Sequence, residues 1–66
     1  MNDKTKFLAY CIEIYRRAKG LTGKQVYLLF VKFGVLNYVI DAYGALHTTG
    51  SQYTIDDIDK FIDINK

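Results

Sequence analysis

Sixty-six residues and 7.6 kDa, half of them hydrophobic and 24% charged, predict one globular domain over residues 1–66 rather than a disordered chain. A two-domain enzyme, a transporter and a disulfide scaffold are excluded: no apolar run reaches the roughly 18–20 residues of a bilayer span, and Cys11 is the single cysteine. A lone thiol suits a reducing, cytoplasmic setting, the polar start through Lys6 predicts no signal peptide, and the formal charge is only +2.

The first predicted helix runs from about Asp3 to Lys19. Phe7, Leu8, Cys11, Ile12, Tyr15 and Ala18 recur at spacings of three and four, which places them on one helical face. Asn2 or Asp3 is the expected N-cap, Arg16, Arg17 and Lys19 suit the negative end of the helix dipole, and Gly20 supplies the left-handed stop. Thr22 and Gln25 form a capping box that opens the second helix, where Val26, Leu29, Phe30 and Phe33 make the stripe and Gly34 the end. The third is expected from about Leu36, with Val39, Ile40, Tyr43 and Leu46 on its face; Gly44 weakens its last turn and Gly50 stops it. Ser51 to Tyr53 read as a connector, and Thr54 with Asp57 as a second capping-box start for a helix burying Ile55, Ile58, Phe61 and Ile62. No segment alternates strictly and no hairpin dipeptide occurs, so the fold class is all-α, a compact bundle of four short helices.

The apolar content exceeds what such a bundle can cover. Val26 to Val31 is apolar on every side, and a helix of that kind is normally buried all round. Tyr10, Ile14, Tyr27, Leu28, Val31 and Tyr38 fall off the core stripes. Contiguous apolar surface marks interaction sites, so this set is the candidate partner interface. A domain of this length buries only about 60% of its unfolded surface, so association would also help to stabilise it. Charge is divided: residues 1–33 carry seven cations against Asp3 and Glu13, a net +5, whereas residues 34–66 carry a net −3. Attraction between the two halves within one fold, head-to-tail assembly, and a basic face for an acidic partner all fit that division.

Catalytic chemistry is poorly provided for. Cys11 falls on the core stripe, where a free cysteine acts as a small hydrophobe, and His47, the only histidine, lies in a different segment. His47 and Thr48, Thr49 follow the third helix, where they can bond free carbonyls or present polar contacts at an interface rim. Asp56, Asp57, Asp59 and Asp63 lack the glycine and terminal glutamate of a calcium loop and point different ways around a helix. We therefore expect no catalytic residues, no metal and no cofactor. A helix-turn-helix reading around Gly34 meets a recognition helix without Lys or Arg and with Asp41 as its one charge, so sequence-specific nucleic-acid readout is not supported.

The run Phe33-Gly34-Val35-Leu36-Asn37-Tyr38-Val39-Ile40, then Tyr43, Leu46-His47-Thr48-x-Gly50 and Tyr53-x-Ile55-x-Asp57-Ile58-Asp59, resembles a small bacterial family labelled domain of unknown function 3791. Phe7-x-x-Tyr10-Cys11-Ile12-Glu13 and Leu21 to Val26 fit the same pattern, while Gly44 departs from it. The family has no assigned activity. Its members are often encoded beside proteins resembling toxin-type ADP-ribosyltransferases, so the resemblance implies an antitoxin or accessory partner. The expectation is a non-catalytic interaction module, with a homodimer or larger homo-oligomer as the alternative and a nucleic-acid-associated regulator behind both.

Overall fold

A computed structural model of the chain describes residues 2–66. Its helices are α1 (Asp3–Lys19), α2 (Gly23–Phe33), α3 (Val35–Asp41), the single turn α4 (Tyr43–Leu46) and α5 (Ser51–Ile64); no strand occurs among the described residues. The radius of gyration, 10.7 Å, matches the roughly 10.8 Å expected of a compact domain of this length.

The helix ends obey local chemistry. Asn2, not Asp3, caps α1, its side-chain oxygen accepting the Thr5 N–H at 2.8 Å. Gly20 closes the helix at φ 68°. The capping box of α2 is complete: Thr22 Oγ1 accepts from the Gln25 N–H at 3.1 Å and Gln25 Oε1 accepts from the Thr22 N–H at 2.9 Å. Gly34, at φ 72°, ends α2 and starts α3 in one residue. That left-handed geometry is what lets two helices meet without a loop.

Two boundaries differ from the sequence expectation. The third helix breaks at Ala42 (φ −89°, ψ 6°), two residues before the suspect Gly44. The bend sets Tyr43 edge-on to Phe7, ring centroids 5.5 Å apart, and leaves Leu46 in the core. The last helix starts at Ser51, so Ser51 to Tyr53 are helical and Thr54 is no cap. Gly50 holds the N-cap position, and the fully buried Thr54 side chain meets Thr49 Oγ1 at 3.1 Å. Thr49 spends its only hydroxyl proton on the Leu46 carbonyl (2.7 Å), so Thr54 is the donor between the two.

α1 is the central element, packed against α2, α3 and α5. Phe7, Cys11 and Tyr15 of α1 meet Val26 and Phe30 of α2, Val35 and Val39 of α3, Leu46, and Ile55, Ile58 and Ile62 of α5. Val35, left out of the predicted stripe, is fully buried, whereas Ala18 is exposed. Burial pushes the Cys11 thiol up to about 12, as suits a core side chain. Across the α1–α5 seam, Asp59 accepts from the Tyr15 hydroxyl (2.6 Å) and from Lys19 Nζ (2.8 Å). Burial pushes the Asp59 carboxyl up, but the bonds from Lys19 and Tyr15 outweigh it and hold the group below the usual carboxylate range.

Candidate protein-binding surface

α2 buries one side and leaves the other uncovered. Val26 and Phe30 are completely enclosed and Leu29 and Phe33 half so, yet Tyr27, Leu28 and Val31 remain 49%, 55% and 51% exposed. The spacings 27 to 31 and 28 to 31 make these three side chains neighbours on one face. The apolar surplus expected on this helix is therefore left uncovered within one chain, because α1 and α3 cover only its inner side.

This apolar face is framed by charge of one sign. Lys24 stands one turn before Tyr27 and Leu28, and Lys32 stands one turn after Leu28; both lysines are exposed. From Ile14 to Ile40 the chain holds five cations and no carboxylate. Arg16 and Arg17 are engaged by Glu13, and Lys19 by Asp59. The hydrogen bond from Arg16 is the main reason the Glu13 carboxyl titrates low. Among the described residues, Lys24 and Lys32 have no carboxylate within ion-pair distance; the Lys32 ammonium lies 5.4 Å from the Phe33 ring centroid. Lys19–Asp59 is the one ion pair that joins the basic and acidic halves among these residues, so internal attraction accounts for little of the charge division.

A second feature lies at the other end of α1. Asp3, Lys6, Phe7, Tyr10, Tyr43, His47 and Thr49 line an open groove of about 390 Å³. Its wall is a chain of aromatic contacts: Phe7 to Tyr10 at 5.9 Å, Phe7 to Tyr43 at 5.5 Å, and Tyr43 stacked on His47 at 4.4 Å. His47 Nδ1 is 2.6 Å from the Tyr43 carbonyl oxygen, which can only accept. Nδ1 therefore carries the proton, and in the neutral ring Nε2 is the free acceptor. His47 thus satisfies a helix-end carbonyl while its other nitrogen stays available.

The eight residues singled out from sequence separate into three groups. Tyr27, Leu28 and Val31 form the α2 face; Tyr10 (42% exposed) and His47 belong to the groove, with Thr48 exposed beside it. Ile14 and Tyr38 lie outside both regions: each is half-buried and packed on the core. The Tyr38 ring stacks on Phe61 at 4.1 Å and its hydroxyl donates to Asp57, so its off-stripe position reflects a polar contact between α3 and α5. That bond to Asp57, helped by burial, pushes the Tyr38 phenol up to about 12. Tyr53 and Ile64, 60% and 81% exposed on α5, were missed. Extending the helical period back to Ser51 and on to Ile64 would have placed both on the solvent side.

Fold and surface together define a small all-α domain with a one-sided core, an uncovered apolar face and no cluster of metal-ligating side chains among the described residues. Residues 6–65 match the family described as Protein of unknown function (DUF3791), and the chain belongs to that family. No curated protein and no solved structure matches the chain. No helix among the described residues is long and apolar enough to cross a membrane.

Proposed function

We propose that this chain is a non-catalytic protein-interaction module that engages a partner through the outer face of α2. The observation that carries this reading is the cluster Tyr27, Leu28 and Val31, each about half exposed, on a helix whose other side sends Val26 and Phe30 into the core. Tyrosine and aliphatic side chains grouped in this way are the usual centre of an interface, and the flanking Lys24 and Lys32 would form its polar rim. The groove at Tyr10 and His47 is a second contact region, with Thr48 at its rim. The partner class we propose is a toxin-type ADP-ribosyltransferase-like protein, which this chain serves as antitoxin or accessory subunit in the bacterial cytoplasm; its support is the company kept by members of the family.

The test is co-expression with an ADP-ribosyltransferase-like neighbour, capture of the complex, and comparison with Tyr27→Lys and Val31→Lys. Loss of capture with unchanged helical circular dichroism supports the reading. Undiminished capture moves the contact off α2, and loss of the helical signal returns Tyr27 and Val31 to the core.

A further inference from the structure

The chain carries, on α5, a surface that complements the α2 face. Asp56 and Asp63 are both exposed and seven residues apart, about 10.5 Å along the helix, while Lys24 and Lys32 are eight apart, about 12 Å. Tyr53 and Ile64 extend beyond the two acids at either end of that solvent stripe. The two carboxylates have only exposed local partners: Gln52 donates to Asp56 at 2.9 Å and Lys66 lies 3.4 Å from Asp63. Lys60, midway between the acids on the same face, is a cation that falls opposite Tyr27 when the rows are aligned, and an ammonium over a phenol ring is a favourable contact. Within one copy the two faces do not meet, since α2 and α5 each pack on α1 and α3 with these side chains turned to solvent.

We propose that the α2 face takes the α5 face of a second copy, in a head-to-tail contact that rests on the reading of α2 as a docking face. The two surfaces differ, so the contact is heterologous: a pair of copies keeps the α5 face of one and the α2 face of the other free, and assembly continues beyond the dimer unless it closes into a ring. At the low end of specific interfaces, about 1,200 Å² in total, each copy contributes about 600 Å², roughly one-seventh of its 4305 Å² surface. A contact of that size and charge is weak and salt-sensitive, with a Kd of about 10 µM to 1 mM. A different protein bound to α2 would compete with it.

Sedimentation velocity over that concentration range tests the proposal. At about 0.01 M salt the weight-average mass should rise beyond twice the 7.6 kDa monomer, and at about 1 M salt, where the Debye length falls roughly tenfold, it should fall back. Lys24→Glu/Lys32→Glu and Asp56→Lys/Asp63→Lys should each stay monomeric with unchanged circular dichroism. Mixed together, the two should associate again, because the native Lys24 and Lys32 row of one variant meets the native Asp56 and Asp63 row of the other, and the two reversed rows are also of opposite sign. Four results overturn the proposal: a monomer at every concentration, a mass that stops at two copies (a symmetric dimer), variants that still self-associate, or a mixture of folded variants that stays monomeric. A wild-type monomer that still captures a different protein, in a manner abolished by Tyr27→Lys, defeats self-assembly and leaves the docking face standing. A monomer that captures nothing defeats both.

Discussion

The Tyr15–Asp59–Lys19 contact joins the central helix to the last one, and truncating its members should give unequal losses. Tyr15 is 5% exposed, and its hydroxyl has only Asp59 as partner, at 2.6 Å. The Asp59 side chain is 36% exposed and also holds Lys19. Removing the phenol hydroxyl leaves a carboxylate that water can reach, so Tyr15→Phe should cost about 1 kcal/mol, the net value of one hydrogen bond. Asp59→Ala leaves the Tyr15 hydroxyl unpaired in the interior, a loss of about 1–3 kcal/mol, and breaks a half-exposed ion pair that adds about 0.2–1 kcal/mol. We expect about 2–3 kcal/mol for Asp59→Ala and about 1 kcal/mol of non-additivity when both changes are combined. Total stability for a domain of this length is about 3–10 kcal/mol, so Asp59→Ala should be visible in any thermal or urea melt, lowering Tm by at least about 10 °C. The carboxyl is held below its unfolded value, so its contribution is present above the unfolded pKa, about 3.9, and is lost as pH falls through the folded pKa. Asp59→Asn should therefore flatten the acid limb of the stability curve. Equal losses for Tyr15→Phe and Asp59→Ala, or strict additivity, would show that the hydroxyl is not confined as described.

Gly34→Ala meets no steric obstacle, since nothing lies within 4 Å of the added carbon, but φ 72° is left-handed. It should cost about 1–2 kcal/mol by urea melt, and Gly34→Asn less, because asparagine tolerates that region. Thr49→Val leaves the enclosed Thr54 hydroxyl without its acceptor, while the Leu46 carbonyl keeps only the Thr49 N–H at 3.1 Å, so it should destabilise more than Thr54→Val, which leaves Thr49 donating to Leu46; equal losses would reverse the donor assignment. Cys11 is completely enclosed, with its thiol pushed up to about 12, so at neutral pH a disulfide reagent should react only at the rate of unfolding. Rapid stoichiometric modification of the native protein would place Cys11 elsewhere.

Most of the architecture was legible because it depends on short-range chemistry. The Gly20 and Gly34 stops and the Thr22–Gln25 box need only a few neighbouring residues, and each appears where spacing put it. The break at Ala42 and the early start at Ser51 were not legible, because both depend on what distant segments require. Tyr43 turns to meet Phe7, and Thr54 resembles a cap in sequence but is held by Thr49 inside the core. The surface divides in the same way. Tyr27, Leu28 and Val31 stood out because α2 has more apolar residues than one face can use. Tyr38 stood out for the same reason, but its partner Asp57 lies nineteen residues away on another helix. Tyr10 and His47 also stood out, but the groove that joins them through Tyr43 depends on the Ala42 bend, which had no sequence signal.

A contact surface on the outer face of α2 should tolerate charge without loss of fold and lose its partner when charged. The most direct measurement takes Tyr27→Lys and Val31→Lys beside the wild type, through urea melts and through capture of the co-expressed neighbour. Substitution of half-exposed side chains should change stability by no more than about 0.5 kcal/mol while abolishing capture. Variants that unfold, or that remain stable and still bind the partner as the wild type does, would contradict it.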